Sequence, residues 1–395
     1  MRFVSGGGDT ADGDPRAQIF ILFCYLVVFA IALSHLRWAV VAIRRNPAIL
    51  ALVALGFASV FWAESPDIVF RRMVAVAGTT LFGVVIAIRL SFYEQLKLFR
   101  WMNRSIACVT LVLTAVSPHS VLAAVGEGLA VRGIFMHKNH AGAAMALGFL
   151  MEWYFKETTP LAKLVRRIAL FVFFVLLVAA NSATSLIAVI ATIMVVSSFN
   201  FLHVRLRIPL PLIFALVLVG AGSALALQDV VLQALGRNSD LTGRTELWSF
   251  VIDMIAKRPM LGYGFSGFWM GASQETLDAQ NQLGWNPIYA HNGYLEILLS
   301  LGFVGLILMA YILGSGLKRL LSDQRVMRSP MDVWPLAFFV FVLVHNIGEC
   351  TLVMQNSLEW SLSIATVIGS DALLLNARSP SEEIGPVELA EPEYA

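Results

Sequence analysis

Three short polar blocks interrupt a chain that is otherwise almost continuously apolar, and each holds residues able to act on a phosphate or a sugar hydroxyl. The first runs from Arg132 to His140 and contains Arg132, His137, Lys138, Asn139 and His140 just ahead of an apolar run. A helix starting near Asn139 would aim its free N–H groups and positive dipole end at the same place, a geometry that suits a phosphate or pyrophosphate. The same composition also fits a basic juxtamembrane loop resting on anionic headgroups. The second block is Thr242-Gly243-Arg244-Thr245-Glu246-Leu247-Trp248. Arg244 precedes an amphipathic stretch, with a surface ion pair to Glu246 or Asp240 as the alternative. The third is Ala290-His291-Asn292-Gly293-Tyr294-Leu295-Glu296. A histidine there can serve as base, donor or positioning group, or simply hydrate a helix end. Glu349, beside His345 and Asn346, is a second candidate base. Trp248, Tyr263, Trp269 and Trp285 are suited to stacking on sugar faces or to anchoring at a membrane interface.

Other chemistries find little support. Gly262-Tyr263-Gly264-Phe265-Ser266-Gly267 matches GxGxxG, but no strand precedes it and no helix follows in a βαβ unit, so a tight turn or a sugar platform is the better reading. Asp12-Gly13-Asp14 looks like a metal-holding DxD, yet it lies in a Gly- and Asp-rich tail. No GxSxG, HExxH or P-loop occurs. Cys24, Cys108 and Cys350 are scattered, so neither a disulfide framework nor a zinc site is expected. No metal and no cofactor is expected.

The elements that must position these blocks are set by composition. Of 395 residues 58% are hydrophobic and 14% charged, and the net charge is +2. A soluble chain carries about 25% charge. A soluble enzyme, a disordered scaffold and a nucleic-acid binder are thereby excluded. Because the apolar segments are continuous rather than alternating, helices are expected over barrel strands. The fold class expected is all-α, a polytopic transmembrane bundle. Helices are predicted near 18–36, 47–63, 73–90, 105–125, 139–155, 168–181, 183–202, 208–227, 293–315, 334–348 and 355–376. That makes about eleven crossings, each needing roughly 17–25 residues. Most of the 28 Lys and Arg residues follow alternate helices, which defines that side as cytoplasmic and puts the N-terminus outside.

Five regions result: a tail at 1–17, helices one to eight over 18–227, a large outer loop at 228–292, helices nine to eleven over 293–376, and an acidic tail at 377–395 that reads as disordered. Within the loop, apolar residues at Trp248, Val251, Ile252 and Ile255 predict an amphipathic helix over Thr245–Lys257, ended by Pro259. The N-terminus lacks the pattern of a cleaved signal peptide.

Together the blocks resemble those of the bacterial O-antigen ligase and polysaccharide polymerase family of membrane proteins. Arg132-Gly133-x-Phe135-x-His137-Lys138-Asn139-x-x-Gly142 is similar to the family's block before a helix, and its His-Lys-Asn variant is most like exopolysaccharide production proteins of the succinoglycan polymerase type. Gly243-Arg244-x-x-x-Trp248, then Pro259-x-Leu261-Gly262-x-Gly264, resembles the outer-loop block. His291-Asn292-x-x-Leu295 with Gly302 resembles the ligases' His-Asn motif, and Trp62-Ala63-Glu64-Ser65-Pro66 is a typical turn.

The resemblance implies a multi-pass enzyme of the bacterial inner membrane, working at the periplasmic face on oligosaccharides carried by undecaprenyl pyrophosphate, without metal or nucleotide sugar. It implies a polymerase joining repeat units in exopolysaccharide biosynthesis, or a ligase transferring the glycan to lipid A core. A flippase for the same lipid-linked sugars is the reading from another class. Helix centres nearly free of charge speak against the flippase. A pyrophosphate leaving group needs its developing charge neutralised. Arg132 and Arg244 are the candidates, with Lys138 as a further point charge. His291 would orient or deprotonate the acceptor, and Glu349 is the second base. His137, Asn139, Glu246, Trp248, Asn292 and Tyr263 complete the expected substrate contacts. Expected partners are the lipid-linked oligosaccharide, the bilayer, a chain-length regulator and export proteins, with no nucleic acid.

Overall fold

In a computed structural model of the chain, the residues described are 15–125, 128–135, 137–199, 244–270, 287–322 and 332–378, with isolated residues between. The predicted helix 208–227, the first part of the loop, Trp285 and both tails lie outside them.

Helix α1 (Pro15–Ser34) meets α2 (Leu36–Arg45) at His35, where the axis turns by 93°. The apolar pattern of the sequence marks only the first of these. α2 ends at Arg44 and Arg45 ahead of Pro47, and it buries Ala39 and Ala42 while Leu36 and Trp38 stay exposed. α3 (Pro47–Ala58) and α4 (Pro66–Arg89) both open on proline, which lacks the N–H that a first helical turn leaves unpaired. α5 (Phe92–Val116) starts at a capping box between Ser91 and Glu94.

The expected helix over 105–125 is corrected here. α5 begins at Phe92 and stops at Val116, because Pro118 cannot donate to the helix it would extend. A single turn, α6 (Pro118–Val121), leads into an antiparallel hairpin of β1 (Leu122–Val125) and β2 (Gly128–Val131), in register Leu122↔Val131. The class is therefore nearly all-α.

Next along the chain come α7 (Lys138–Tyr154), α8 (Pro160–Ala179) and α9 (Ala183–Phe199), then α10 (Arg244–Lys257) where the amphipathic helix was expected, and the short α11 (Gly267–Met270). α12 (Gly293–Ser322), α13 (Trp334–His345) and α14 (Leu358–Arg378) close the fold. Among the described residues α4 and α12 are long and apolar enough to cross a membrane alone, and α1 with α2 passes only as a bent pair. Within the described residues helices occupy at least part of each predicted segment, but their length and composition do not by themselves carry a count of eleven crossings.

α7 packs on α8, α9 on α13, and α4 on α14. Trp360, fully buried on α14, donates to the hydroxyl of Thr80 on α4 at 2.9 Å.

The feature that sets the site is a break inside α12. Gly302 has φ 65° and ψ −165°, so the helix opens there and its backbone groups need partners. The chain after α10 supplies them. Tyr263 N donates to Leu299 O at 2.9 Å and Gly264 N to Ser300 O at 3.0 Å, while Phe303 N donates to Pro259 O at 2.8 Å. A Cβ on Gly302 would collide with the Met260 carbonyl, and one on Gly262 would lie 2.5 Å from Leu299 O, so both positions need glycine. The GxGxxG match is thus a backbone dock that fixes the outer loop against α12.

Candidate functional site

The site forms where the N-termini of α7 and α12 meet the turn after α13. α13 ends at His345, and Asn346 shapes the turn beyond it: its side-chain oxygen accepts from Thr351 N at 2.9 Å and Leu352 N at 3.1 Å, and its amide donates to Thr351 Oγ1 at 2.9 Å. Gly293 N, at the start of α12, donates to the carbonyls of both Asn346 and Glu349 at 2.9 Å. That turn holds the Glu349 side chain in the interior, 3% exposed.

Two blocks far apart in sequence converge on this carboxylate. Asn139, in the first turn of α7, donates its amide to Glu349 Oε1 at 2.5 Å. His291 lies on the other side, with Nδ1 3.8 Å from Glu349 Oε2. His291 has φ 50°, a left-handed conformation that costs a non-glycine residue free energy and is often found at functional sites. Its ring stands 4.3 Å from that of Tyr289.

His137 caps α7, its Nδ1 accepting from Asn139 N at 3.2 Å. The acceptor role at Nδ1 puts the proton of the neutral ring on Nε2. Burial holds its pKa below the usual histidine value; Glu349 opposes this shift, and His140, His291 and Lys138 reinforce it. Lys138 donates to Asn181 O at 2.9 Å.

A second ring of contacts sets the His291 segment. Trp248 on α10 donates its indole N–H to Ala290 O at 2.9 Å. Glu296 accepts from Ala290 N at 2.7 Å and from Trp269 Nε1 at 3.0 Å. Residue 290 is thus gripped from both sides, which fixes His291 next to it.

The structure therefore brings together His137, Lys138, Asn139, His291 and Glu349. Asn292 adjoins them as the cap of α12, its side-chain oxygen accepting from Tyr294 N at 3.0 Å and Leu295 N at 3.1 Å; that oxygen is committed to the helix rather than to a substrate. Trp248 and Trp269 act as struts. Tyr263 is corrected outright: it is 3% exposed, its hydroxyl donates to Met254 O at 3.1 Å, and Arg258 lies 4.5 Å over its ring, so no face is open to a sugar. Arg132 follows β2, with its backbone N–H on Val121 O at 2.8 Å. Glu246 is exposed on α10. Arg244 opens α10, but its side chain lies outside the described residues. Among the described residues no three His, Cys, Asp or Glu groups form a metal-ligand set.

Sequence reasoning misses the supporting role of Glu296, although a charged residue inside an apolar helix is itself a signal. It misses the Asn139–Glu349 bond entirely, since nothing in the two local patterns links residues so far apart.

These features define a class: a helical membrane protein with a buried carboxylate, an amide and imidazoles gathered at one end of the bundle. Comparison with known proteins narrows it. Residues 168–310 match the family described as O-antigen ligase. The exopolysaccharide production protein ExoQ of Rhizobium meliloti is 36% identical over 104 residues, 25% of this chain and 24% of that protein. A "Putative polysaccharide ligase" of Rickettsia conorii is 32% identical over 96 residues, 24% of this chain and 23% of that one, and its namesake in Rickettsia felis is 35% identical over 80 residues, 20% of each. The matched stretches thus span a quarter or less of these relatives. They agree with the resemblance carried by the motif blocks: the chain is a membrane protein similar, over these stretches, to O-antigen ligases and to a protein of exopolysaccharide production.

Proposed function

We propose that this chain polymerises oligosaccharide repeat units carried on undecaprenyl pyrophosphate, at the periplasmic face of the bacterial inner membrane, in exopolysaccharide biosynthesis. The observation that carries the reading is the convergence on Glu349 of Asn139 at 2.5 Å and His291 at 3.8 Å, from three separate parts of the chain. The likeness to a protein named for exopolysaccharide production supports the polymerase form.

Asn139 holds one oxygen of Glu349, and the other faces His291 Nδ1. A proton on Nδ1 pointing at the carboxylate leaves Nε2 as the base. The acceptor sugar's hydroxyl oxygen forms a bond to the anomeric carbon of the donor, and its proton passes to His291. The bond from that carbon to the pyrophosphate oxygen breaks, and the electron pair leaves with undecaprenyl pyrophosphate. Arg132, Arg244 and Lys138 stabilise the charge that develops there. The gap of 3.8 Å is longer than a hydrogen bond, as is common before substrate tightens a site. A chain-length regulator and export proteins would act on the product.

A second reading, a ligase that transfers the glycan to lipid A core, is favoured by the family description and by the names of the Rickettsia relatives. Purified protein given lipid-linked repeat units in detergent separates the two. Polymerisation predicts a ladder of longer lipid-linked glycans without added lipid A core. Product that forms only when core is supplied would overturn it in favour of ligation. His291→Ala and Glu349→Gln are expected to lower turnover by about 10²–10⁴-fold; full ladders from either variant would refute the site.

A further inference from the structure

A cavity of about 370 Å³ opens between the end of α1, the end of α4 and the start of α5. Its volume falls within the ~300–1,000 Å³ typical of small-molecule sites. The wall is apolar, built from Ile31, Phe82, Val85, Ile86 and Leu98, whereas Ser34, His35 and Arg89 gather at its edge. Leu98 is 51% exposed and Phe82 36%, so the apolar wall is open to the outside of the bundle.

The polar edge has a definite protonation pattern. Arg89 Nη1, which can only donate, lies 2.5 Å from His35 Nε2, so Nε2 accepts as a lone pair. Nδ1 of the neutral ring then carries the hydrogen, with Ser34 Oγ at 2.8 Å and the Ile31 carbonyl at 3.1 Å to receive it. The imidazole fixes the guanidinium without neutralising it. Among the described residues no carboxylate forms an ion pair with Arg89. A helix C-terminus accounts for a cation at this position; it does not account for the cavity beside it.

The adjoining α2 indicates what lies outside. It turns 93° from α1, and its exposed face carries Leu36 and Trp38, with Arg37 5.6 Å over the Trp38 ring. Arg44 and Arg45 end it. A basic amphipathic helix at right angles to an apolar one has the composition of a helix lying in the headgroup layer, where tryptophan and arginine are favoured. With α2 in that layer, the adjoining cavity would offer a fixed cation at headgroup depth beside an apolar wall.

We propose that this cavity binds one anionic membrane phospholipid, its phosphate on Arg89 beside His35 and an acyl chain against Ile31, Phe82, Val85 and Ile86. The proposal is independent of the glycan-transfer reading. Zwitterionic lipid is disfavoured, because its ammonium brings a like charge towards Arg89 and the lipid carries no net charge to offset it.

The test is native mass spectrometry of the full chain purified in detergent and titrated with phosphatidylglycerol or phosphatidylcholine. The expected result is saturable binding of one phosphatidylglycerol, with phosphatidylcholine at least about tenfold weaker. Arg89→Gln should weaken phosphatidylglycerol about tenfold, the loss of one charge-assisted contact. Arg71→Gln, an equal charge change on an exposed residue at the opposite end of α4 (side chain 50% exposed), should leave it unchanged. Equal affinity for the two lipids, unaltered binding in Arg89→Gln, or an equal loss in Arg71→Gln would each overturn the proposal. Displacement of the lipid by inorganic phosphate at matched concentration would also overturn it, since the apolar wall would then contribute nothing. Should Arg89→Gln not fold, Ile31→Trp fills the wall from its open side and should weaken phosphatidylglycerol severalfold; unchanged binding there would count equally against it.

Discussion

Helix α7 joins two polar clusters that are built in opposite ways. At its C-terminal end Glu152 is fully buried and receives Arg104 through both carboxylate oxygens, at 2.6 and 2.9 Å. Arg100 lies 3.7 Å from the same carboxylate, donates to Glu157 at 2.5 Å, and rests 3.6 Å over the Phe155 ring. Arg166 completes the cluster by donating to the Glu152 carbonyl at 3.0 Å. Guanidinium keeps its charge at any physiological pH, so this end is a permanent lock between α5, α7 and α8. At the N-terminal end the buried carboxylate of Glu349 faces an amide and an imidazole instead. Imidazole can change its charge, and the amide orients the carboxylate without quenching it. The same helix is thus held by charges that cannot move a proton at one end, and presents groups that can at the other.

The comparison can be broken at either end. The largest effect is expected at the Glu349 end, where on the proposed function His291→Ala and Glu349→Gln should abolish nearly all turnover while thermal unfolding in detergent stays close to that of the unaltered protein. The lock should behave in reverse. Glu152→Gln leaves Arg104 buried without a counter-charge and Arg100 with Glu157 alone, and should cost about 3–5 kcal/mol of stability, read as a lowered unfolding midpoint. Wild-type stability in that variant would mean that the cluster is solvated rather than locked.

A smaller effect is expected at the α12 break. Gly302→Ala forces a Cβ onto the Met260 carbonyl at positive φ and should cost about 1–3 kcal/mol. Because the dock it disturbs carries the segment leading to His291, turnover should fall with stability; loss of one without the other would show that the dock and the site are uncoupled.

The smallest effect is the pH response of His137. Its pKa in the folded protein lies below the unfolded value near 6.5, chiefly because burial disfavours the charged ring. Between the two values the unfolded chain binds more protons, so stability is complete above about pH 6.5 and declines as pH falls below it. His137→Gln should therefore show a shallower acid-side loss of the unfolding midpoint than the unaltered protein. An identical slope would remove His137 from the account.

Much of the fold is legible in the sequence. Continuous apolar runs identify the helices because a spanning segment must satisfy its own backbone, and α7, α10 and α12 start within a residue or so of their expected positions. The blocks around His137 and His291 sit at helix N-termini, as their composition implies. Other readings fail where the deciding partner is distant. Tyr263 resembles a sugar platform because loop aromatics often are, and only packing against α10 and Arg258 removes it. Arg100 and Arg104 read in sequence as charges that merely orient the chain; their pairing with Glu152 depends on how α5 lies along α7, which no local pattern encodes.

The sequence by itself determined the class of structure, the helical segments and the three polar blocks, because hydropathy and end-capping are local properties. Only the tertiary structure decided which of those polar residues meet. Asn139, His291 and Glu349 are separated by long apolar stretches, and their contact exists because α7, α12 and the turn after α13 are packed with those ends together. The turn of GxGxxG glycines has no assignable purpose until the opened backbone of α12 at Gly302 is seen to need hydrogen-bond partners from it.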